Sequence, residues 1–330
     1  MRFRSTFTAV SIILLAIPSS IQAIDLLSVT SSLYVGLDNN NIVTYDTSSG
    51  VAATIEASVS TFTSLHLNVP LGLAFDISGN LYAVNNGDNT ISKFNSAGVY
   101  QTNGSIGSTR LYAPTGLAFS FDNSGVLYVN GGVDSSNTQV QSFIAKYNSS
   151  GLYLSSITTN TNLKYPRGIA FDPFGNLYVA NAGNNTISIF NPFGGYQGSI
   201  TTNLNGPRGI AFDSLGNLYA ANAGSNTISK FNSAGLYQSS ITTGLNGPCG
   251  IAFDSSGNLF AANTNNNSIS VYSPSGAFLT SWATGSGQPY YIAFKPITVP
   301  EPSTYALSAI AAGLFACSRR HRNLGQPKIF

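Results

Sequence analysis

The feature that most constrains this chain is a segment that recurs with a spacing in the forties. Its clearest copy, residues 207–235, reads PRGIAFDSLGNLYAANAGSNTISKFNSAG. The copies begin at Pro70, Pro114, Pro166, Pro207 and Pro248, and a short last copy begins at Pro289. These prolines are 44, 52, 41, 41 and 41 residues apart. A period in the forties that is built from short strands is typical of β-propeller blades.

Each copy predicts four short strands. Residues 209–212 (GIAF) and 218–221 (LYAA) are apolar runs separated by DSLGN, a turn sequence in which Gly accepts positive φ and Asp caps backbone donors. Residues 227–231 (TISKF) alternate with period two, as a half-buried strand does. Residues 236–243 are rich in Ser and Thr and form the outermost strand. No window is long and periodic enough for a helix.

The first two strands of each copy are apolar on both faces, so both faces need cover. A radial ring of sheets provides that cover because each blade packs on its neighbours. The small residues of GIAF suit the crowded axis, and Phe and Tyr suit the wider periphery. The pattern favours a propeller over a sandwich.

The two ends of the repeat region are incomplete in opposite senses. Residues 33–46 match the second and third strands of a copy but lack a PxGIAF strand before them, while residues 289–294 match PxGIAF and are not continued. We therefore expect one composite blade, with its inner strand from the C-terminal end and three outer strands from the N-terminal end. The predicted fold is all-β, a closed six-bladed propeller of four-stranded antiparallel blades without free edges.

The consensus P-x-G-[IL]-A-F-D-x-x-G-N-L-Y-[VA]-[AV]-N-x-G-x-N-[TS]-I-S-x-F resembles the NHL repeat. The resemblance covers residues 33–294 and implies a six-bladed propeller. The chain departs from the family where its repeats commonly carry Arg before the Ile of the third strand, since it has Thr90, Thr186, Thr227 and Ser268 there.

Residues 1–23 are predicted to be a secretory signal peptide. Arg2 and Arg4 precede an apolar run over residues 7–17, and IQA ends at a cleavage site after Ala23. The alternative is a buried strand or helix. The propeller then occupies residues 24–295, and a separate tail covers residues 296–330.

The tail has three parts: VPEPST, a mostly apolar run over residues 305–317, and a basic cluster. This arrangement resembles the PEP-CTERM sorting signal of Gram-negative bacteria, with the motif residues Pro300, Glu301, Pro302, Arg319, Arg320 and Arg322. The resemblance implies an exosortase-type processing enzyme as partner, besides signal peptidase, and an outer-surface or matrix location. The run is shorter than the roughly 20 residues of a full span, so membrane contact is expected only through this transient tail. A simple C-terminal anchor is the alternative.

Charge and cysteine content narrow the function classes. Residues 24–295 contain eight Lys and Arg against eleven Asp and Glu, a net charge of −3. A mildly acidic, exported body argues against nucleic acid as partner. Cys249 and Cys317 fall in the body and the tail, so we expect no disulfide within the processed body.

One position varies within a constant frame, the x of P-x-G. Because it enters the innermost strand, these residues are predicted to crowd one mouth of the channel: Leu71, Thr115, Arg167, Arg208, Cys249 and Tyr290. Arg167 and Arg208 fall on adjacent blades and together can bind a carboxylate or sulfate. The alternative is free variation at a solvated turn.

Two recurring polar positions allow either a site or a structural role. The first is the Asn that ends the second strand, at Asn181, Asn222 and Asn263. It is a candidate ligand-binding group at the mouth, and the alternative is that it stabilises the turn. The Asp before x-x-Gly-Asn is expected to cap the first hairpin turn, rather than to form a carboxylate ring: Asp76, Asp172, Asp213 and Asp254.

No catalytic constellation, metal site or cofactor motif is visible. His66 and His321 lack triad or metal-site neighbours in sequence, and Glu56 and Glu301 are the only glutamates. We therefore expect a non-enzymatic binding scaffold with a protein or exopolysaccharide ligand and no cofactor. The alternative is a secreted enzyme of the lactonase or lyase type, known among six-bladed relatives, with its site at the central mouth.

Overall fold

The computed structural model describes residues 32–47, 62–63, 66–101, 106–107, 111–120, 122, 124–132, 142–158, 162–285 and 287–295. In these ranges the chain forms 24 β-strands in six four-stranded antiparallel sheets. The described part of the chain contains no helix that could span a membrane.

Five blades are formed by consecutive strands. Blade 1 comprises β4 (Pro70–Phe75), β5 (Leu81–Asn85), β6 (Thr90–Phe94) and β7 (Ile106–Gly107). Blade 2 comprises β8 (Leu117–Phe119), β9 (Leu127–Gly132), β10 (Ser142–Tyr147) and β11 (Tyr153–Thr158). Blade 3 comprises β12 (Pro166–Phe171), β13 (Leu177–Asn181), β14 (Thr186–Phe190) and β15 (Tyr196–Ile200). Blade 4 comprises β16 (Pro207–Phe212), β17 (Leu218–Asn222), β18 (Thr227–Phe231) and β19 (Tyr237–Ile241). Blade 5 comprises β20 (Pro248–Phe253), β21 (Leu259–Asn263), β22 (Ser268–Tyr272) and β23 (Phe278–Ala283).

Blade 6 is composite, as the incomplete ends of the repeat region predict. Its strand order is β24-β1-β2-β3, with β24 (Pro289–Phe294) innermost, followed by β1 (Ser32–Leu37), β2 (Asn41–Asp46) and β3 (Phe62–Thr63). In the antiparallel ladder Val35 lies opposite Ile292. The backbone N–H of Lys295 also donates to the Ser32 carbonyl at 3.2 Å. The ring is therefore closed without a covalent link, and both the fold class and the closure are confirmed.

The hairpin turn after each inner strand is capped by its aspartate. In blade 4 the Asp213 carboxylate accepts hydrogen bonds from the backbone N–H groups of Leu215 and Asn217, at 3.0 and 2.8 Å, and from Asn217 Nδ2 at 2.8 Å. Gly216 completes the turn with φ 77°, a value that glycine adopts without strain. Equivalent bonds occur at Asp76, Asp172 and Asp254, so the capping prediction is confirmed.

The apolar core lies between blades rather than within them. Each of the six clusters of buried side chains draws residues from two neighbouring sheets, such as Ala180 and Ile187 of blade 3 with Ile210 and Leu218 of blade 4. Every blade therefore depends on both of its neighbours.

One aromatic contact repeats at all six blade interfaces. The aromatic residue of each second strand meets the Phe that ends the inner strand of the next blade, edge to face, with ring centroids 4.9–5.0 Å apart. The pairs are Tyr82–Phe119, Tyr128–Phe171, Tyr178–Phe212, Tyr219–Phe253, Phe260–Phe294 and Tyr34–Phe75. Such pairs contribute about 0.5–1.5 kcal/mol each beyond the area they bury.

Toward the axis the blades approach through glycine. A Cβ atom added to Gly209 would lie 2.2 Å from the Cys249 carbonyl oxygen of the next blade, and one added to Gly168 would lie 2.3 Å from that of Arg208. Both distances are far inside van der Waals contact. The small residues near the axis and the aromatic residues further out are thus placed as the sequence predicts.

A substitution at the closure tests whether blade 6 is packed like a continuous blade. Phe294→Leu removes the aromatic pair between blade 5 and the closing strand β24, and Phe253→Leu removes the matched pair between blades 4 and 5, which has the same 5.0 Å separation. We expect both variants to lower the free energy of unfolding by about 1–2 kcal/mol, in one cooperative urea transition. If Phe294→Leu lowers the free energy of unfolding by less than a few tenths of a kcal/mol while Phe253→Leu lowers it by about 1–2 kcal/mol, β24 is not packed like a continuous inner strand.

Candidate functional site

The inner strands start at one end of the channel, which we call the mouth. At this end the ladder between the first and second strands is irregular in blades 1, 3, 4, 5 and 6, for example between Pro207 and Ile210. A bulge interrupts the regular alternation of side chains and re-aims a residue. The irregularity falls on the second and third residues of the P-x-G frame, which are Tyr290 and Tyr291 in blade 6, and it therefore includes the variable residue.

Four of the six predicted mouth residues form one electrostatic cluster. The charges of Arg167 and Arg208 act on both Cys249 and Tyr290. Burial raises the pKa of the Cys249 thiol, while the two arginines act in the opposite direction. The thiol is therefore predominantly protonated at neutral pH.

The two arginines are available to a ligand. Both side chains are partly exposed. Lys230 and Asp213 form a salt bridge away from the mouth, whereas neither Arg167 nor Arg208 has a carboxylate partner among the described residues. Two guanidinium groups on adjacent blades thus provide the donors that an anionic group requires.

The blade 6 side of the mouth is less positive. The Tyr290 hydroxyl donates to Gln288 Oε1 at 3.2 Å, and the Gln288 backbone N–H donates to the Asp38 carboxylate at 2.9 Å. Burial, followed by the charge of Asp38, raises the pKa of Tyr290. Among the described residues, the positive part of the mouth therefore lies on blades 3 and 4.

Three of the six predicted mouth residues are packed into the wall, and Cys249 of the cluster is one of them, with 2 % of its surface exposed. Leu71 is buried, and so is Thr115, whose hydroxyl donates to the Pro166 carbonyl at 3.0 Å. Thr115 therefore joins blade 2 to blade 3 and presents no free group to the channel.

The recurring asparagines lie within the blades. Asn222 is 1 % exposed. Its Oδ1 accepts from the Asn205 backbone N–H at 3.2 Å, and its Nδ2 donates to Thr227 and Ser229, at 3.2 and 2.9 Å. The same bonds recur at Asn181 and Asn263. Because their amide groups are buried and bonded to the chain, the geometry favours the turn-stabilising interpretation over ligand binding.

Sequence reasoning missed Tyr291. It stands where the other five inner strands have the Gly of P-x-G, so PYYIAF itself carries the signal. Its side chain lines a cavity of about 130 Å³ around the axis, whose other lining residues are Gly, Leu and Ile. The Tyr291 hydroxyl is buried without a hydrogen-bond partner in the described structure, an arrangement that costs about 1–3 kcal/mol while it lasts.

A second missed residue is Tyr165, which immediately precedes the inner strand of blade 3. Its φ is 47°, in a region that bulky residues rarely adopt. The residues at the same point in blades 1, 2, 4 and 5 also have positive φ: Val69 at 50°, Ala113 at 43°, Gly206 at 56° and Gly247 at 61°. The side chain is 59 % exposed. A strained and exposed aromatic residue two positions before Arg167 is a candidate ligand contact.

Other candidate groups lie elsewhere. No three or more His, Cys, Asp or Glu residues of the described ranges are grouped so that they could hold a metal ion. His66 stacks on Tyr100 with ring centroids 3.6 Å apart and is exposed. The predicted signal peptide and the sorting-motif residues of the tail lie outside the described residues.

Comparison with known proteins identifies the repeat and the fold. The NHL repeat family model matches residues 163–190, and no curated protein matches the chain. A chain of a nidogen/laminin complex has a TM-score of 0.67 at 20% identity, covering 81% of this chain and 98% of that one. A protein of unknown function from Bacteroides caccae has a TM-score of 0.63 at 13% identity, covering 81% and 100%.

Enzymes are also among the similar structures. Virginiamycin B lyase from Staphylococcus aureus has a TM-score of 0.53 at 18% identity, covering 70% of this chain and 85% of that one. A catalytically inactive histidine-to-alanine variant of that lyase with quinupristin has a TM-score of 0.53 at 17% identity and the same coverage. At these identities the likeness shows the fold alone. The chain is thus a six-bladed β-propeller that contains an NHL repeat.

The division between framework and mouth can be tested with two substitutions in blade 4. Asn222→Ala leaves buried donors and acceptors without partners, and we expect a loss of about 2–4 kcal/mol in the free energy of unfolding. Arg208→Ala removes a partly exposed side chain without a carboxylate partner, and we expect a change within about 0.5 kcal/mol. Urea denaturation measures both. If both variants lose a comparable amount of the free energy of unfolding, Arg208 stabilises the fold and is not a free group at the mouth.

Proposed function

We propose that this protein is an exported, non-enzymatic binding scaffold of the bacterial surface, whose mouth binds an acidic exopolysaccharide. The observation that carries the proposal is the pair Arg167 and Arg208, two guanidinium groups at one mouth without carboxylate partners in the described structure. Planar guanidinium groups match carboxylate and sulfate oxygens and give directional, charge-assisted hydrogen bonds.

Exposed tyrosines beside the mouth support a sugar ligand. Tyr165 and Tyr112 are 59 % and 45 % exposed and precede the inner strands of blades 3 and 2. Tyrosine supplies a large, rigid, amphipathic contact surface at a small cost in conformational entropy. A ring with apolar faces and peripheral hydroxyls suits such a surface, and an acidic sugar adds the anion for the arginines.

The location is part of the proposal. A secretory signal at residues 1–23 and a sorting tail at residues 296–330 would deliver the propeller to the outer surface, with signal peptidase and an exosortase-type enzyme as processing partners. The low proportion of charged residues, 8%, and the mildly acidic body are compatible with a surface matrix and disfavour nucleic acid.

A lyase-type enzyme is the second candidate, since lyases are among the similar structures. The loss of a histidine inactivates one of those lyases. The described part of this chain contains one histidine, His66, and its ring stacks on that of Tyr100. The cluster at the mouth contains Arg, Cys and Tyr side chains. This set of side chains favours binding over general acid–base catalysis at neutral pH.

The proposal is tested by measuring calorimetrically the affinity of the full-length chain for oligosaccharides that contain glucuronic acid. We expect Arg167→Ala and Arg208→Ala each to weaken binding at least about tenfold, because each removes a charge-assisted hydrogen bond. Binding should also weaken as salt is raised. Lys230→Ala is the matched control, since it removes one positive charge beside Asp213, away from the mouth. Equal losses in all three variants, or unchanged binding in both arginine variants, would refute the proposal.

The strained tyrosine gives a separate test. Tyr165→Gly installs the residue that blades 4 and 5 use at this point, so we expect the free energy of unfolding to stay the same or to rise by up to about 1 kcal/mol. The affinity for the acidic oligosaccharide should nevertheless fall about fivefold, because a contact surface is lost. A variant that is more stable and binds equally well would show that Tyr165 does not contact the ligand.

A further inference from the structure

The end of the propeller opposite the mouth carries the most exposed apolar side chains of the described chain. Because neighbouring strands in a blade are antiparallel, the turns after the first and third strands both lie at this end, which we call the base. The base includes the turns 76–79, 95–98, 148–151, 172–175, 191–194, 213–216, 232–235, 254–257 and 273–276. The six large apolar residues with the highest exposure all belong to these turns or directly follow them: Phe193, Leu215, Phe174, Ile77, Leu152 and Leu236. Exposed apolar side chains that gather at one end indicate a contact surface.

The three most exposed of these side chains come from turns that touch one another. Phe193, Leu215 and Phe174 are 93 %, 81 % and 79 % exposed. A Cβ atom added to the glycine after Phe174 would lie 3.5 Å from the proline before Phe193. One added to the glycine after Leu215 would lie 3.9 Å from the proline before Phe174. Blades 3 and 4 thus present these three side chains side by side, and we call them the apolar patch.

Blade 5 shows that the turns do not require these side chains. Its first turn has Ser256 at the position of Phe174 and Leu215, and its second turn has Ser275 at the position of Phe193. Both turns keep the bond from the glycine N–H to the carbonyl three residues earlier, at 3.1 and 2.8 Å. Since the turns form equally well with serine, the apolar patch adds a surface and is not needed for the fold.

The charges around the apolar patch are compatible with an anionic surface. Asp172 is buried, and its carboxylate accepts hydrogen bonds from the backbone N–H groups of Phe174 and Asn176 at 2.9 and 2.8 Å. The ammonium group of Lys146 lies beside the second phenylalanine, 3.7 Å from a Cβ atom added to the glycine after Phe193. The apolar side chains therefore project beyond this carboxylate and have a cation next to them.

The inner strand of blade 6 also leads to the base. β24 starts at the mouth, and the ammonium group of Lys295, the residue after this strand, donates to the Ser96 carbonyl in a turn of the base at 2.7 Å. The apolar run of the tail begins ten residues later, at position 305, and ten residues of extended chain span at most about 35 Å. A membrane that holds this run can therefore lie against the base.

We propose that the base is a membrane-contact surface, in which Phe174, Phe193 and Leu215 insert into the interface of a phospholipid bilayer while the mouth faces away from it. A bilayer accepts protruding side chains without a matching pocket, and surfaces that lie on membranes combine Phe and Leu with lysine. This inference goes beyond the proposed function, since it assigns a second surface and does not depend on the ligand of the mouth.

The first experiment measures by co-sedimentation the affinity of the full-length chain for vesicles of phosphatidylethanolamine and phosphatidylglycerol. Phe174→Ser, Phe193→Ser and Leu215→Ser are combined in one variant, which installs the residues that blade 5 uses. We expect the affinity to fall at least about tenfold, because three apolar side chains no longer leave water. The control combines Leu154→Ser and Leu279→Ser on outer strands and should stay within about twofold. The tail is the same in all variants, and cooperative urea unfolding establishes that they are folded.

A second measurement distinguishes insertion of the apolar patch from binding through the tail alone. The chain contains one tryptophan, Trp282, which packs near Tyr45 at the interface of blades 5 and 6, with ring centroids 5.6 Å apart. Phe193→Trp adds a fluorescent reporter at the patch, and Leu154→Trp adds one on an outer strand. We expect brominated acyl chains to quench the added fluorescence of Phe193→Trp and to leave that of Leu154→Trp unchanged.

The outcomes decide between the bilayer and other occupants of the patch. Unchanged vesicle affinity of the triple serine variant, or added fluorescence of Phe193→Trp that brominated lipid does not quench, would overturn the proposal. Self-association without lipid that the three serine substitutions abolish would also overturn it, because the patch would then bind a second copy of the chain. Sugar binding at the mouth should be the same in the triple variant, so either proposal can fail while the other stands.

Discussion

The contact between neighbouring blades is the interaction on which the whole molecule depends. No blade has a core of its own, since each apolar cluster joins two sheets. At every interface an aromatic pair meets edge to face far from the axis, and near the axis glycine lets backbones approach more closely than a Cβ atom would allow. These two contacts fix the separation of the blades at two radii, so the number of blades and the width of the channel follow from them.

Such a ring must close, because an interface left open would expose an apolar face and a row of unpaired backbone groups. The chain closes it with its own two ends: Phe260 meets Phe294 on one side of blade 6, and Tyr34 meets Phe75 on the other, with the geometry of the continuous interfaces. Since the structure contains one described cysteine, Cys249, and it is free, closure relies on packing and hydrogen bonds.

Most of the fold could be predicted from the sequence, because the determinants recur in every copy. The period, the turn residues and the complementary ends lead to six blades, and Asp213 caps its turn as its place before x-x-Gly-Asn predicts. The candidate site could be predicted only in part. Arg167 and Arg208 reach the mouth, but the accessibility of Asn222 depends on the backbone groups that fold around it, which spacing does not reveal. Leu71 and Thr115 share the position of the arginines and are nevertheless buried.

The departures from the repeat are more informative about function than the repeat itself. Tyr165 stands where blades 4 and 5 have glycine and blades 1 and 2 have Val69 and Ala113, all with positive φ, and Tyr291 stands where the other five blades have glycine and has a buried hydroxyl. Tyr165 precedes Arg167 by two residues, and the charges of Arg167 and Arg208 act on Tyr291. A sixfold frame presents six equivalent wedges to its axis, so any ligand that binds in one orientation needs side chains that break the symmetry, and this chain concentrates them at one mouth.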